Sequence, residues 1–270
     1  MNQQQDITVD TPADGKHILR IMSYNIQVGI ATSRVHQYLT NSWKHVLPHT
    51  QRLANLDRVA RLLGDFDIVG LQEVDAGSLR SNYINLAEYL AVRAGFPYWY
   101  HQVNRNIGRF AKHSNGLLSR FHPVEVRDIP LPGLIPGRNA IMARYGSSDE
   151  PLGVFMLHLA LSRRARMRQL AMISEMVNEF PHVILMGDMN CRPGSPEMNL
   201  LFKRTHLREP LEETLTFPSW RPAHHIDHIL VTPELNVREV GALHHAYSDH
   251  LPIVMELDLP ESVKLTTLAA

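Results

Sequence analysis

Nine runs of strand length recur along this 270-residue chain, at 18–26, 67–74, 98–103, 116–119, 140–145, 153–159, 182–186, 228–231 and 253–257. Many are apolar on both faces. A half-exposed strand alternates polar with apolar, so such runs predict sheets covered on both sides. Helical spacing falls between some of them. Leu53, Leu56, Val59, Ala60 and Leu63 share one face, as do Met167, Leu170, Ile173, Ser174 and Val177. A third helix is predicted over 82–94, ended by Gly95 and Pro97, and a short fourth opens at Ser195-Pro196 with Ser at N-cap and Pro at N1. Helices interleaved with strands, plus strand-only stretches, predict a layered α/β domain. Its expected extent is 17–260, with a disordered polar leader at 1–16 and a loose tail at 261–270. The segment 29–50 lacks periodicity and reads as a long, substrate-facing loop.

Lys plus Arg equals Asp plus Glu at 27 each, which argues against a protein living on non-specific phosphate contacts. The single cysteine, Cys191, cannot form an intramolecular disulfide. The N-terminal stretch has no apolar core of a secretory signal, and no apolar run approaches the ~18 residues of a membrane span. The expectation is a cytoplasmic protein.

Five segments place polar residues at one edge of an apolar run: Ser-Tyr-Asn-Ile at 23–26, Leu-Gln-Glu-Val at 71–74, Gly-Asp-Met-Asn at 187–190, Ile-Asp-His-Ile at 226–229 and Ser-Asp-His at 248–250. Strand ends are rigid arms, so groups delivered by several of them can converge with little entropy to lose. Glu73 at the end of a buried strand is costly unless metal-bound or paired with an arginine. Asn25 has the same placement, and alone reads more often as a strand-end turn residue. Asp188 and Asn190, two apart, point the same way if extended. They would then serve as a water-orienting acid and a neutral donor to a phosphoryl oxygen, or else as an Asx-turn with a helix cap. His250 can exchange protons near neutrality, with Asp227 as its orienting acid. His158 ends another buried strand, where a lone histidine is usually a satisfied core residue. Most of the 16 histidines are not catalytic, and His224, His225, His244 and His245 read as solvated. Arg138 and Asn115 are weaker candidates for contact with a substrate phosphate.

Carboxylates and amide oxygens without cysteine suit Mg²⁺ or Mn²⁺ rather than structural zinc. Phosphate-binding glycine loops, a dinucleotide fingerprint and a serine-hydrolase elbow are all missing from the sequence. These residues point to a hard-metal hydrolase of phosphate esters.

The ordered set Ser-Tyr-Asn-Ile, Leu-Gln-Glu-Val-Asp, Asn-Gly-Leu-Leu-Ser-Arg, His158-Leu, Gly-Asp-Met-Asn, Ile-Asp-His-Ile-Leu and Ser-Asp-His-Leu-Pro resembles the endonuclease/exonuclease/phosphatase superfamily over Leu19 to Leu257. The resemblance implies a four-layer α/β sandwich, two packed mixed β-sheets flanked by helices, with the site at one edge. It implies Glu73 as principal Mg²⁺ ligand with Asn25 beside it and Asp249 next to the metal. Asp188 would activate water, Asn190 orient the phosphate, His250 transfer a proton under the hold of Asp227, and His158 contact the phosphate. The implied reaction is in-line attack of water with inversion at phosphorus. Two positions depart from the pattern: Gln27 stands where some nuclease members carry an acid, and His228 where tyrosine is more usual.

The superfamily spans nucleases, phosphatases and lipid phosphodiesterases. Neutral charge weakens a duplex-DNA reading, although Arg163 to Arg168, or Arg105 with Arg109, would make a local basic patch if not simply solvated. Arg80-Ser81 and Thr216-Phe-Pro-Ser-Trp look more like bacterial members of the phosphatase and lipid-phosphodiesterase side. The expected substrate is therefore a small or lipid phosphodiester, with a DNA nuclease as the alternative. A catalytically silent binding module is a third reading, opposed by the retention of every motif position except the one at Gln27.

Overall fold

The computed structural model describes residues 18–27, 49–107, 111–133, 137–210, 214–245 and 247–267. The expected leader and most of the 29–50 loop lie outside them. Eleven strands and four helices follow in chain order: β1 (Ile18–Asn25), α1 (His49–Leu63), β2 (Ile68–Asp75), α2 (Leu86–Ala94), β3 (Tyr98–Ile107), β4 (Ala111–Ser119), β5 (Glu125–Pro130), β6 (Asn139–Tyr145), β7 (Leu152–His158), α3 (Arg163–Val177), β8 (His182–Asp188), α4 (Pro196–Arg204), β9 (Asp227–Val231), β10 (Asn236–Ala242) and β11 (Ile253–Asp258). One 3-10 turn, Leu79–Ser81, lies between β2 and α2.

The strands form a six-stranded sheet ordered β10-β11-β1-β2-β4-β3 and a five-stranded sheet ordered β5-β6-β7-β8-β9. Both are mixed. β1 runs parallel to β2, and β7 to β8, each pair joined through a helix, while the other pairings are antiparallel. Ile21, Ile68, Ile141, Val154, Met156, Ile184, Met186, Ile229 and Met255 fill the space between the sheets. The outer face of the five-stranded sheet buries Phe155, Leu185 and Leu230 against Leu170, Ile173 and Val177 of α3 and Met198 and Leu201 of α4. The other outer face buries Met22, Val69 and Leu71 against Leu56, Val59 and Leu63 of α1 and Leu86 and Leu90 of α2. Central strands buried on both faces are what the non-alternating runs require, and the result is the four-layer sandwich.

Three expectations need correction. The third helix begins at Leu86, because Asn85 caps it by accepting from the N–H groups of Ala87 and Glu88, and Asn82 adopts a left-handed conformation that a helix cannot continue. The end of the expected loop, His49 and Thr50, is already helical in α1. Residues 261–267 are not loose: Val263 is buried between the sheets and Thr267 bridges to Phe121.

Candidate active site

The parallel pairs aim four strand ends at one edge. β1 ends at Asn25, β7 at His158 and β8 at Asp188, and Glu73 lies near the end of β2. Register sets His158 directly opposite Asp188, and Asp188 opposite Asp227 at the start of β9. In an open α/β sheet the crevice beyond such strand ends is where ligands gather.

The side chains converge on Asp188. Its Oδ2 accepts from Asn25 Nδ2 at 3.2 Å and lies 3.4 Å from His158 Nε2 and 3.9 Å from His250 Nε2. Asn25 Nδ2 also reaches Glu73 Oε1 at 3.4 Å, so one amide bridges two carboxylates. His250 Nδ1 lies 2.8 Å from Asp227 Oδ2, which also accepts from Thr216 Oγ1 at 2.5 Å. Asp249 Oδ1 accepts from Ser248 Oγ. The Phe217 ring packs on His250 with centroids 4.8 Å apart. Thr216 and Phe217 enter the sequence analysis only as part of a family-like pattern; their place beside Asp227 and His250 has no local signal until the fold returns them there.

Local backbone shape is part of the placement. The β2–β4 register shifts between Leu71 and Val74, and within that bulge Glu73 has φ 55°. A non-glycine residue held there stores on the order of 1–3 kcal/mol, a pattern found where a bulge re-aims a functional side chain. Asn190 is left-handed at φ 51°, and its backbone N–H donates to Asp188 Oδ1 while its Nδ2 donates to the Leu159 carbonyl. The extended geometry expected for 188–190 is thus corrected to an Asx-turn, which fixes the Asp188 carboxylate and leaves Asn190 one further N–H to donate. Asn25 Oδ1 accepts the Gln27 N–H at 3.2 Å, which fixes the amide and leaves its oxygen a second lone pair. Among the residues whose side chains are described, Glu73 forms no ion pair with Arg or Lys.

Electrostatics separates the groups. Burial pushes the Asp188 carboxyl up to about 7, with Asp227 adding to the shift. Burial also raises Asp249 to about 6, against the pull of His250 and with the help of Glu73. Burial disfavours the His250 imidazolium, but the charges of Asp227, Asp188 and Asp249 outweigh it and lift the ring to about 10. His158 goes the other way: burial, then Arg138, His250 and His113, hold it well below its usual value. One imidazole is therefore a cation and its neighbour neutral, so the two serve as different hydrogen-bonding groups. Glu73, Asp188 and Asp249 form no ion pair with lysine or arginine among the residues whose side chains are described, and such a set of carboxylates fits a hard divalent cation.

A cavity of about 690 Å³ adjoins this cluster, and Glu73, His158, His113, Arg138, Arg164 and Arg168 are among the residues that line it. Arg138 is drawn electrostatically to Asp188 and Glu73, although burial lowers its pKa. Asn115 is fully buried; its Nδ2 donates to the Asn139 carbonyl, so its amide ties β4 to β6 and does not line the cavity. His113, unremarked in the sequence, joins the site because β4 pairs with β2 opposite Asp75.

Glu209, His225 and His228 form a second cluster on the opposite face of β9. His225 was expected to be solvated and is buried. His228 Nε2 lies 2.8 Å from the Cys191 carbonyl and its Nδ1 2.5 Å from Glu209 Oε1, so both ring nitrogens act as donors. His225 Nδ1 accepts the Thr214 N–H, which leaves its proton on Nε2, 3.3 Å from Glu209 Oε1. Neither ring offers a lone pair to a metal, and the cluster is an ion-paired anchor. This is what occupies position 228 in place of tyrosine.

The sequence matches the model of the endonuclease/exonuclease/phosphatase family over residues 22–250. The chain belongs to that family. Its members are divalent-metal-dependent phosphoric ester hydrolases, and this chain is one. Solved structures share the fold at low identity. An endonuclease/exonuclease/phosphatase from Beutenbergia cavernae superposes with a TM-score of 0.69 at 21% identity, covering 91% of this chain and 72% of that one. The mannosyl-6-phosphatase Bt3783 of Bacteroides thetaiotaomicron gives 0.66 at 19%, covering 88% and 99%. ANGEL2, a 2′,3′-cyclic phosphatase, gives 0.62 at 16%, covering 90% and 96%. No functionally curated protein matches the sequence. No helix among the described residues is long and apolar enough to cross a membrane.

Proposed function

We propose that this hydrolase is a Mg²⁺-dependent phosphodiesterase acting on a small or lipid phosphodiester, with Mn²⁺ as an alternative ion. The observation that carries the reading is the meeting of Asn25, His158 and His250 on a single carboxylate oxygen of Asp188, beside a cavity lined by His158 and Glu73. Glu73 and Asp249 supply the hard oxygen ligands, and Asn25 holds Glu73 and Asp188 together. When bound, the ion supplies polarisation of a phosphoryl oxygen and neutralisation of the leaving oxygen. Asp188, fixed by the Asn190 N–H, positions the attacking water and accepts its proton, and it needs its charged form to do so. The cationic His250, oriented by Asp227 and Thr216, donates to the phosphoryl group as negative charge builds on it. The neutral His158, the second N–H of Asn190 and the guanidinium of Arg138 orient the phosphate before attack.

The size of the cavity and the alanine, glycine and leucine in its wall favour an organic phosphodiester over a bare phosphomonoester. The balanced charge of the chain disfavours duplex DNA. The test is hydrolysis of bis-p-nitrophenyl phosphate with Mg²⁺, with chelator and in Asp188→Ala, followed by a panel of an abasic-site duplex, single-stranded DNA, sphingomyelin and phosphoinositide head groups. Turnover lost in chelator and in the variant, with highest kcat/KM on a head-group diester, is expected. Turnover confined to DNA would transfer the assignment to a nuclease, and no turnover in any divalent metal would overturn it.

A further inference from the structure

The entry to α3 carries four arginines, Arg163, Arg164, Arg166 and Arg168, and no acid in its first turn. The positive end of a helix opposes cations there, so the arrangement needs a compensating anion. Half of it has one. Arg166 reaches Glu197 on α4 at 2.7 Å and 3.0 Å and binds the carbonyls of Ala160 and Leu161. Arg163 lies 4.0 Å from the same carboxylate. The other half does not. Arg164 and Arg168 sit four residues apart on one face, where like charges repel, and among the described residues neither forms an ion pair with any acid. Both line the cavity that contains Glu73, His158 and Arg138.

We propose that Arg164 and Arg168 form an anion subsite that selects phosphate esters bearing a second negatively charged group, phosphate or carboxylate, a short distance from the scissile phosphate. This rests on the phosphodiesterase reading of the adjoining site. Two guanidinium forks match the planar edge of a carboxylate or two oxygens of a phosphate. Ala160, Ala165 and Gly133 line the same cavity, and their small size leaves room for the organic part of the substrate. The cavity, at about 690 Å³, is far larger than one phosphate needs. The charge division on α3 then has a physical reason: Glu197 neutralises the face that packs on α4, and the substrate neutralises the face that lines the cavity.

The test compares two chromogenic diesters, the p-nitrophenyl ester of thymidine 5′-phosphate with and without a 3′-phosphate. Wild type is expected to prefer the doubly anionic probe by about tenfold in kcat/KM, mainly through KM, with the preference shrinking as salt rises. Arg164→Gln/Arg168→Gln is expected to bring the preference close to unity, and Arg164→Lys/Arg168→Lys to restore part of it. Equal kcat/KM for the two probes in wild type, or a preference that survives the glutamine pair, would overturn the subsite. Absence of turnover on both probes would instead overturn the phosphodiesterase reading. Calorimetric titration with thymidine 3′,5′-bisphosphate and thymidine 5′-phosphate then decides the subsite alone: tighter binding of the bisphosphate, lost in the glutamine pair, upholds it, and equal affinity sinks it.

Discussion

His250 carries two separable properties, a charge and an orientation, and the residues that supply them differ. Its charge comes from Asp227, Asp188 and Asp249 acting against burial. Its orientation comes from the 2.8 Å contact with Asp227, itself held by Thr216. His250→Ala is expected to lower kcat by about 10²–10⁴-fold, the scale of a lost acid–base group, while the protein stays folded by circular dichroism. Asp227→Asn keeps a hydrogen-bonding shape but removes the charge. The alkaline limb of the pH–rate profile should therefore move down from near 10, and a profile unchanged from wild type would show that Asp227 does not set the imidazolium. The ion-paired anchor behind the site gives a stability test. Two histidines outweigh burial and lower Glu209 to about 2, so its contribution is present above 4.5 and is lost as pH falls from there to about 2. Glu209 outweighs burial and raises His228, so that contribution is present below 6.5 and is lost as pH rises through the folded-state value. Glu209→Gln is expected to cost about 3 kcal/mol between these limits and less on either side, read as denaturant midpoints across pH.

Strands and turns decide which residues can meet, and the strand ends were the legible part of the sequence. Glu73, Asp188 and His158 stand out because each interrupts a run too apolar to be exposed, and burial of an unpaired polar group there demands a partner. The central strands were legible for the same reason. The edge strands β5 and β10 were not, because their residues are mostly exposed or half-buried and show no clean period. The bulge at Glu73 and the left-handed turn at Asn190 were hidden as well: they depend on pairing with β4 and on the Asx-turn, not on composition. His225 was misread since its neighbour Glu209 lies 16 positions away in sequence and arrives only through β9. Gly187 shows how tightly these turns are built. Its φ is 143°, and a Cβ there would stand 1.9 Å from the Leu157 carbonyl oxygen. Gly187→Ala is expected to destabilise by about 3 kcal/mol or more, because β7 and β8 must separate just where His158 faces Asp188. A denaturant midpoint equal to wild type would mean that the strands part without loss.

Over the whole molecule, the active site is a fault line that the rest of the fold holds shut. The inter-sheet core, two covered outer faces and the closing segment 261–267 fix strand ends that repel one another once Glu73, Asp188 and Asp249 are ionised. A divalent ion binds only where those ends are together, so it stabilises the native state by mass action. At a concentration about 100 times its dissociation constant it adds about 2.7 kcal/mol. For a domain of this size that corresponds to roughly 5–10 °C in thermal midpoint. Mg²⁺ is therefore expected to raise the midpoint of wild type by that amount in a saturable way. Glu73→Gln should remove most of the response and, by taking away one of the mutually repelling charges, melt no lower than wild type in chelator. Loss of activity in Glu73→Gln with the full Mg²⁺ shift retained would separate the ion from this carboxylate. A chain whose melting ignores Mg²⁺ altogether while it still hydrolyses diesters would show that the strand ends are held in register without it, and that the sandwich alone carries the electrostatic load.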